Sequence, residues 1–97
     1  MKYFPEELYE ILKDRAGDST REDSKTKYLL EKGGPTIIRK LIEEAGEVAG
    51  AAMEQDLDQI IEEIADLWYY TLVVLLYYGL TPEQVQRCLL SRHEKKK

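Results

Sequence analysis

Two acidic motifs in neighbouring helical segments constrain how this chain of 97 residues can fold. The first motif is EExxE, formed by Glu43, Glu44 and Glu47, and the second is ExxD, formed by Glu63 and Asp66. Residues three apart on an α-helix lie on the same face, so Glu44 projects with Glu47 and Glu63 projects with Asp66. Each segment therefore directs two carboxylates towards one side of its helix.

A short polar turn at residues 54–58 joins the two segments, which predicts that they fold back on each other as an antiparallel hairpin. In such a hairpin, residues at equal depth have numbers that add to a constant, so Glu44 faces Asp66 and Glu47 faces Glu63. Apolar residues surround all four acids, so we expect the carboxylates to meet beside the hydrophobic core. These apolar neighbours are Leu41, Ile42, Ala45, Val48, Ile60, Ile64, Ala65 and Leu67.

Four carboxylates in one place favour a bound cation. Two like charges about 4 Å apart repel by about 4 kcal/mol at an effective dielectric constant of about 20, whereas a whole domain is stable by only about 5–15 kcal/mol. A single glutamate on a helix is usually solvated. The joint pattern instead predicts a Mg²⁺ site for phosphate chemistry, because Mg²⁺ prefers oxygen ligands and commonly joins carboxylates to phosphates. The predicted ligands are Glu44, Glu47, Glu63 and Asp66.

The glutamates beside these acids point elsewhere on their helices. Glu62 is offset by about 100° from Glu63 and is assigned to solvent. Glu43 is offset in the same way from Glu44. It could be solvated, could support a metal ligand, or could act as a base that orients water.

Composition excludes several classes of protein and predicts a single domain over residues 1–97. The formal charge of −5 argues against a general nucleic-acid binder. Cys88 has no second cysteine for an internal disulfide, so we interpret it as a small apolar residue of the last helix. No signal peptide is indicated, and the longest apolar run, residues 67–78, is too short to span a bilayer. These features predict a soluble cytoplasmic protein without a membrane partner.

The periodicity of apolar residues predicts an all-α fold without a convincing strand. The expected helices cover residues 4–15, a short stretch after Ser24 that ends at 33–35, residues 36–54, residues 57–78, and a last segment opened by Thr81. Thr36 could cap the second long helix, and Thr81 with Gln84 has the pattern of a capping box. Residues 16–24 are predicted to be a flexible linker, and residues 94–97 a frayed tail.

The stretch from residue 67 to residue 78 is apolar or aromatic on every side of its helix. A helix that is hydrophobic all round must be buried all round, and the rest of a chain this short barely provides the walls. The pattern therefore predicts a homodimer whose core is a four-helix bundle of two hairpins, with shorter helices at its flanks. The alternative is a compact monomer with half-exposed aromatic residues.

Taken together, the motifs resemble those of the all-α nucleotide pyrophosphohydrolases, the MazG-like superfamily, whose signature is EExxE, a spacer and ExxD. Within that superfamily the chain resembles the phosphoribosyl-ATP pyrophosphatase family. Flanking matches are an S-x-T-x-x-L…KG segment at residues 24–33, the GLTPEQV stretch at residues 79–85, and Arg92-His93 near the end. The chain departs from the family pattern at Ile42, where a glycine is common, and at Tyr70, where a histidine is common.

The resemblance implies hydrolysis of phosphoribosyl-ATP to phosphoribosyl-AMP and pyrophosphate in histidine biosynthesis, with Mg²⁺ as cofactor. It gives the same four acids as ligands, and Glu43 or a ligand carboxylate such as Glu47 as the group that takes the proton. Contacts to phosphate and ribose would then fall to residues around the acids: Lys25, Lys32, Arg39, Lys40 and Tyr70, with Arg92 or His93 from across a dimer.

Three other readings remain open at this point. The nearest is a related enzyme that cleaves nucleoside triphosphates such as dCTP or dUTP, which would share the acidic residues. A di-iron carboxylate protein would use Glu-x-x-His pairs, and the only histidine here is His93. The third is a helical dimerisation module without catalytic activity.

Overall fold

The computed structural model of the chain describes residues 4–17 and 25–95, which form five α-helices. These are α1 (Phe4–Gly17), α2 (Lys25–Lys32), α3 (Gly34–Glu54), α4 (Leu57–Tyr77) and α5 (Pro82–Lys95). Within those two ranges no residue is in a strand, which confirms the all-α prediction. Among the helices described, none has the length and apolar character needed to cross a membrane.

Helices α3 and α4 form the predicted hairpin around a connection of only two residues, Gln55 and Asp56. Gln55 takes a left-handed conformation (φ 58°) that ends α3, and the Asp56 carboxylate accepts a hydrogen bond from the Gln59 amide at 3.2 Å to cap α4. At the far end of the hairpin, Gly34 lies beside Tyr77 and Tyr78. The start of α3 therefore packs against the end of α4, as an antiparallel pair requires.

The start of α3 differs from the prediction, because Thr36 lies inside the first turn and is not the cap. Gly33, with φ 93°, occupies the cap position, and Pro35 stands in the first turn. Proline has a fixed φ and lacks an amide hydrogen, both of which suit the first turn of a helix. The amide of Ile37 donates to the Gly33 carbonyl at 3.2 Å, so the helical hydrogen bonding begins three residues earlier than a cap at Thr36 would give.

The opening of α5 confirms the predicted capping box. The Thr81 amide donates to Gln84 Oε1 at 2.8 Å, and the Gln84 amide donates to Thr81 Oγ1 at 3.4 Å. Gly79, with φ 69°, provides the left-handed residue in the turn before this cap.

The outer bounds of α1 and α5 correct two other expectations. α1 continues to Gly17, so residues 16–17 are helical and do not belong to a linker, while residues 18–24 lie outside the described part together with the predicted Ser24 cap. α5 continues through Lys95, so the expected frayed tail from residue 94 is wrong for its first two residues; residues 96–97 are not described. Cys88 lies on α5, the last helix, as predicted, and its side chain is exposed.

Two clusters of buried side chains hold α1, α2 and α3 against α4. The first joins α2 and α3 to α4 through Leu29, Ile37, Tyr70 and Val73. The second joins α1 to α4 through Leu12, Leu72 and Leu75. The Tyr9 hydroxyl also donates to the Leu80 carbonyl at 2.7 Å and ties α1 to the turn before α5. The C-terminal half of α4 is thus the centre of the chain's hydrophobic core.

Substitution of Ile37 tests the first of these clusters. Ile37 is only 1% exposed, so Ile37→Ala should lower the free energy of unfolding by about 2–5 kcal/mol through lost burial and the cavity left behind. Ile37→Val removes a single methylene and should cost about 0.5–1.5 kcal/mol. Urea unfolding followed by circular dichroism measures both, and equally small losses for the two variants would contradict this core position.

Candidate active site

The hairpin brings three of the predicted ligands together. One carboxylate oxygen from each of Glu44 on α3 and Glu63 and Asp66 on α4 lies within 4.8 Å of the others, and we call these residues the acidic cluster. Glu63 is only 9% exposed, Glu44 is half-buried and Asp66 is exposed. The cluster is therefore buried on one side and open to solvent at Asp66.

Two oxygens of the acidic cluster have no hydrogen-bond partner among the described residues. They are Oε2 of Glu44 and Oε2 of Glu63, and both are buried. A buried carboxylate oxygen without a partner is costly, so a group that could satisfy both is favoured. Oxygen atoms of three carboxylates in one place are the donor set that a hard divalent cation such as Mg²⁺ prefers. The residues present therefore fit a metal ion.

Gln59 fixes the orientation of Glu63, a contact that the sequence reading missed. Gln59 Nε2 donates to Glu63 Oε1 at 2.5 Å from one turn earlier on α4. This bond occupies one carboxylate oxygen and leaves Oε2 of Glu63 for the cluster. The signal was available, since an amide four residues from a carboxylate on a helix commonly reaches it.

The proximity of the acids changes their protonation. The pKa of Glu44 is raised by burial first and then by the charges of Asp66 and Glu63. The pKa of Glu47 is raised to about 7, chiefly by a hydrogen bond with the Glu63 carboxyl and next by the charges of Glu44 and Glu63. Glu47 is exposed, and it interacts with Glu63 although it is outside the group of three. A proton shared by Glu47 and Glu63 offsets part of the negative charge of these acids, which a bound cation would otherwise neutralise.

Glu43 and Lys40 pair with each other at the surface of α3. Lys40 Nζ lies 3.5 Å from Glu43 Oε2, and both side chains are about half exposed. Neither residue belongs to the acidic cluster, so the two expected roles, Glu43 as base and Lys40 as phosphate contact, would require their side chains to leave this pair. A surface pair of this kind contributes little to stability, and its separation is inexpensive.

The other basic residues expected around the site are dispersed. Lys32 lies over the ring of Tyr28 on α2, at 5.5 Å from its centroid, and Arg39 is exposed on α3. Arg92 lines a groove between the end of α4 and α5, and His93 is exposed on α5. Within the described residues, the structure does not place any of these four in the acidic cluster.

Among the described residues, Lys25 is a basic residue whose charge acts on Asp66 and Glu44 of the acidic cluster. Its Nζ lies 4.9 Å from the Tyr70 ring centroid and 5.3 Å from that of Tyr69. The pKa of the Lys25 ammonium is raised, chiefly by a hydrogen bond with the Tyr70 hydroxyl, and the charge of Asp66 adds to the rise. Thr26 Oγ1 is hydrogen-bonded to the Tyr69 hydroxyl at 2.8 Å and fixes α2 beside α4.

Tyr70, expected to contact phosphate, is instead mostly a core residue. Its side chain is only 3% exposed and packs with Leu29, Ile37 and Val73. Its hydroxyl interacts with Lys25. Ile42, the other departure from the resemblance, is 66% exposed on α3 and leaves the acidic cluster undisturbed.

Comparison with known proteins agrees with this geometry. The family model of the phosphoribosyl-ATP pyrophosphohydrolases (PRA-PH) matches residues 5–93. This chain belongs to that family. It is 41% identical over 90 residues to the phosphoribosyl-ATP pyrophosphatase of Pelotomaculum thermopropionicum. The aligned region covers 93% of this chain and 91% of the relative. It is 39% identical over 88 residues to the enzyme of the same name from Clostridium acetobutylicum, with 91% and 79% covered.

A longer relative is named for histidine biosynthesis. The histidine biosynthesis bifunctional protein HisIE of Oceanobacillus iheyensis is 40% identical over 75 residues, which cover 77% of this chain and 35% of that protein. The resemblance read from the acidic and flanking motifs is thereby confirmed at the level of the family.

The raised pKa of Glu47 predicts how stability without metal depends on pH. The ordinary pKa of about 4.5 describes the unfolded chain, and the folded value is about 7. Between these values the folded state keeps a proton that the unfolded state has released, so this contribution to stability is complete below about pH 4.5 and is lost as the pH rises through 7. Glu47→Gln should therefore lose less stability than the wild type between about pH 5 and pH 8.

Urea unfolding in the presence of EDTA at several pH values measures this difference. Glu43→Gln is the matched control, since Glu43 lies on the same helix but pairs with Lys40, and it should keep the wild-type dependence. Identical pH dependence for Glu47→Gln and the wild type would contradict the interaction between Glu47 and Glu63.

Proposed function

We propose that this chain hydrolyses phosphoribosyl-ATP to phosphoribosyl-AMP and pyrophosphate, as a step of histidine biosynthesis. Membership of the family and the names of the relatives support this activity. The structural observation that carries it is the acidic cluster, in which three carboxylates approach within 4.8 Å and two buried oxygens lack hydrogen-bond partners in the described part of the chain. A charged nucleotide as substrate also supports a cytoplasmic location.

The proposed cofactor is Mg²⁺, held by Glu44, Glu47, Glu63 and Asp66. When bound, Mg²⁺ would neutralise charge on the substrate phosphates and lower the pKa of a coordinated water. The free oxygens of Glu44 and Glu63 support this ligand set. Glu47 is included because the sequence places it on the same helix face as Glu44 and because a hydrogen bond with the Glu63 carboxyl raises its pKa.

Other residues of the chain orient a metal ligand and accept a proton. Gln59 holds Glu63 in one orientation, which keeps its second oxygen available. Glu47 is exposed to solvent and its carboxyl interacts with that of Glu63, which suits a group that accepts a proton from water beside the acidic cluster. Glu43 is the alternative base, but it is paired with Lys40 at the surface of α3. Glu47 is therefore the better placed of the two.

Contacts to the substrate phosphates are proposed for basic side chains that lie outside the acidic cluster. Lys40 lies one turn before Glu44 on α3, and its side chain is 40% exposed. Arg39 precedes it on the same helix. Lys32 and Arg92 remain proposals for phosphate or ribose contacts, and Arg92 would act from a second copy of the chain.

A homodimer with a four-helix core is proposed for the single domain. Large apolar residues form an exposed stripe along α4, where Leu57 is 72%, Ile61 67% and Trp68 51% exposed. Ile38 and Ile42 extend the apolar surface on α3 at 43% and 66% exposure. These spacings of three to four residues, or multiples of them, place the residues of each helix on one face. Two hairpins that pack through these stripes would bury them and form the bundle.

Pyrophosphate release from a panel of nucleotides tests the function. Wild-type protein with Mg²⁺ should release pyrophosphate from phosphoribosyl-ATP, and EDTA should stop the reaction. Glu63→Gln should reduce turnover by about 100-fold or more, because a catalytic metal contributes several kcal/mol. Glu62→Gln, next to it but exposed on α4, is the control and should retain turnover. Rapid release from dCTP or dUTP alone would overturn the assignment.

The same proteins separate an enzyme from a non-catalytic module. Mg²⁺ should raise the melting temperature of the wild type and of Glu62→Gln by binding the native state, and should leave Glu63→Gln unchanged. A melting temperature of the wild type that does not respond to Mg²⁺ would favour the module.

The oligomeric state tests the dimer. Light scattering after size-exclusion chromatography should give about twice the chain mass of 11.3 kDa. Ile61→Asp places a charge in the exposed stripe and should shift the protein to monomer, because an unpaired charge is costly in a buried interface. Leu90→Asp, at a 53% exposed leucine of α5, should remain dimeric. A wild-type monomer, or an unchanged Ile61→Asp dimer, would reject this interface.

A further inference from the structure

Helix α2 presents a lysine ammonium to two consecutive aromatic rings of α4. Lys25 Nζ lies 4.9 Å from the centroid of Tyr70 and 5.3 Å from that of Tyr69. The two rings are themselves in edge-to-face contact, with centroids 5.1 Å apart. The hydrogen bond between Thr26 and Tyr69, at 2.8 Å, anchors the residue next to Lys25. The ammonium therefore contacts two aromatic side chains, and the neighbouring Thr26 fixes the start of α2 against one of them.

This placement sets the ammonium beside the acidic cluster. Tyr69 and Tyr70 follow Asp66 by three and four residues on α4, so both lie one turn from Asp66 on the same side of the helix. The charge of Asp66 helps to raise the pKa of Lys25. In the opposite direction, the charge of Lys25 lowers the pKa of Glu44 and opposes the rise caused by burial and by the other acids. Lys25 thus acts on carboxylates of both helices of the hairpin.

We propose that Lys25 is a positioning residue that gives the acidic cluster an internal positive charge, which stabilises the metal-free site and weakens its affinity for a divalent cation. This inference rests on the proposed metal site. It replaces the phosphate contact expected for Lys25 from the sequence. The physical reason is that the ammonium attracts Asp66 and Glu44 but repels any second cation that these carboxylates bind.

The proposed role and the other possible roles of Lys25 predict different changes in metal affinity when the lysine is removed. A lysine that only contacts substrate phosphate would leave metal affinity in the absence of substrate unchanged and would raise KM when removed. A lysine that only packs on aromatic rings would affect stability without any effect on metal affinity. Of these three roles, only that of an internal counter-charge predicts that removing the lysine makes metal binding tighter.

Calorimetric titration of Mg²⁺ into metal-free protein, without substrate, tests whether loss of the Lys25 charge raises or lowers Mg²⁺ affinity. Lys25→Met keeps most of the aliphatic stem and removes the charge, and it should bind Mg²⁺ about fivefold more tightly than the wild type. Its metal-free melting temperature should fall. Raising the salt concentration should narrow the difference in affinity, since the effect is electrostatic. Lys25→Gln gives a second neutral variant, to be read in the same way if Lys25→Met folds poorly.

Two control variants isolate the position and the charge. Lys25→Arg retains the positive charge and should bind Mg²⁺ as the wild type does. Lys32→Met removes a charge from the same helix, where the ammonium lies over Tyr28, and should also leave the affinity unchanged. Unchanged or weaker Mg²⁺ binding by both neutral Lys25 variants would overturn the role of Lys25 while the metal site stands. Absence of Mg²⁺ binding by the wild type would overturn the metal site and this inference together.

Discussion

Repulsion among the carboxylates of Glu44, Glu63 and Asp66 is the constraint around which this structure is organised. Their oxygens approach within 4.8 Å, and Glu63 is almost completely buried. Like charges at such distances would drive α3 and α4 apart. Three sources of positive charge or protonation oppose this repulsion: a proton on Glu47, the ammonium of Lys25, and the proposed Mg²⁺. The first two act without any bound metal.

The hydrophobic core provides the force that keeps the acids together. Ile37 on α3 packs with Tyr70 and Val73 in the C-terminal half of α4, whereas Glu63 and Asp66 occupy the N-terminal half of the same helix. Burial of these apolar side chains fixes the register of the hairpin, and the register fixes which acids face each other. Helix α4 thus combines the core and the charged site in one rigid element, a favourable base for precise ligand placement.

Features that follow from helical periodicity or a local motif could be predicted from the sequence. Side-chain pairings in which a residue has two possible partners could not. The facing of Glu44 with Asp66 follows from helical spacing and the short turn, and the Thr81 capping box follows from a local pattern. Lys40, in contrast, had both Glu43 and Glu44 within one turn, and the spacing alone did not decide that it pairs with Glu43. The docking of α2, which brings Lys25 to Tyr69 and Tyr70, depends on tertiary packing that periodicity does not encode.

The Lys25 ammonium is compatible with a tyrosine at position 70. The family pattern described above often has histidine at the position of Tyr70, and a charged imidazole has only hydrogen-bond donors. Such a ring would repel the ammonium of Lys25, whereas the tyrosine hydroxyl can accept a hydrogen bond from it and the ring face attracts a cation. In this chain a positive group is present at this position, because the ammonium of Lys25 comes from α2 and lies over the Tyr70 ring.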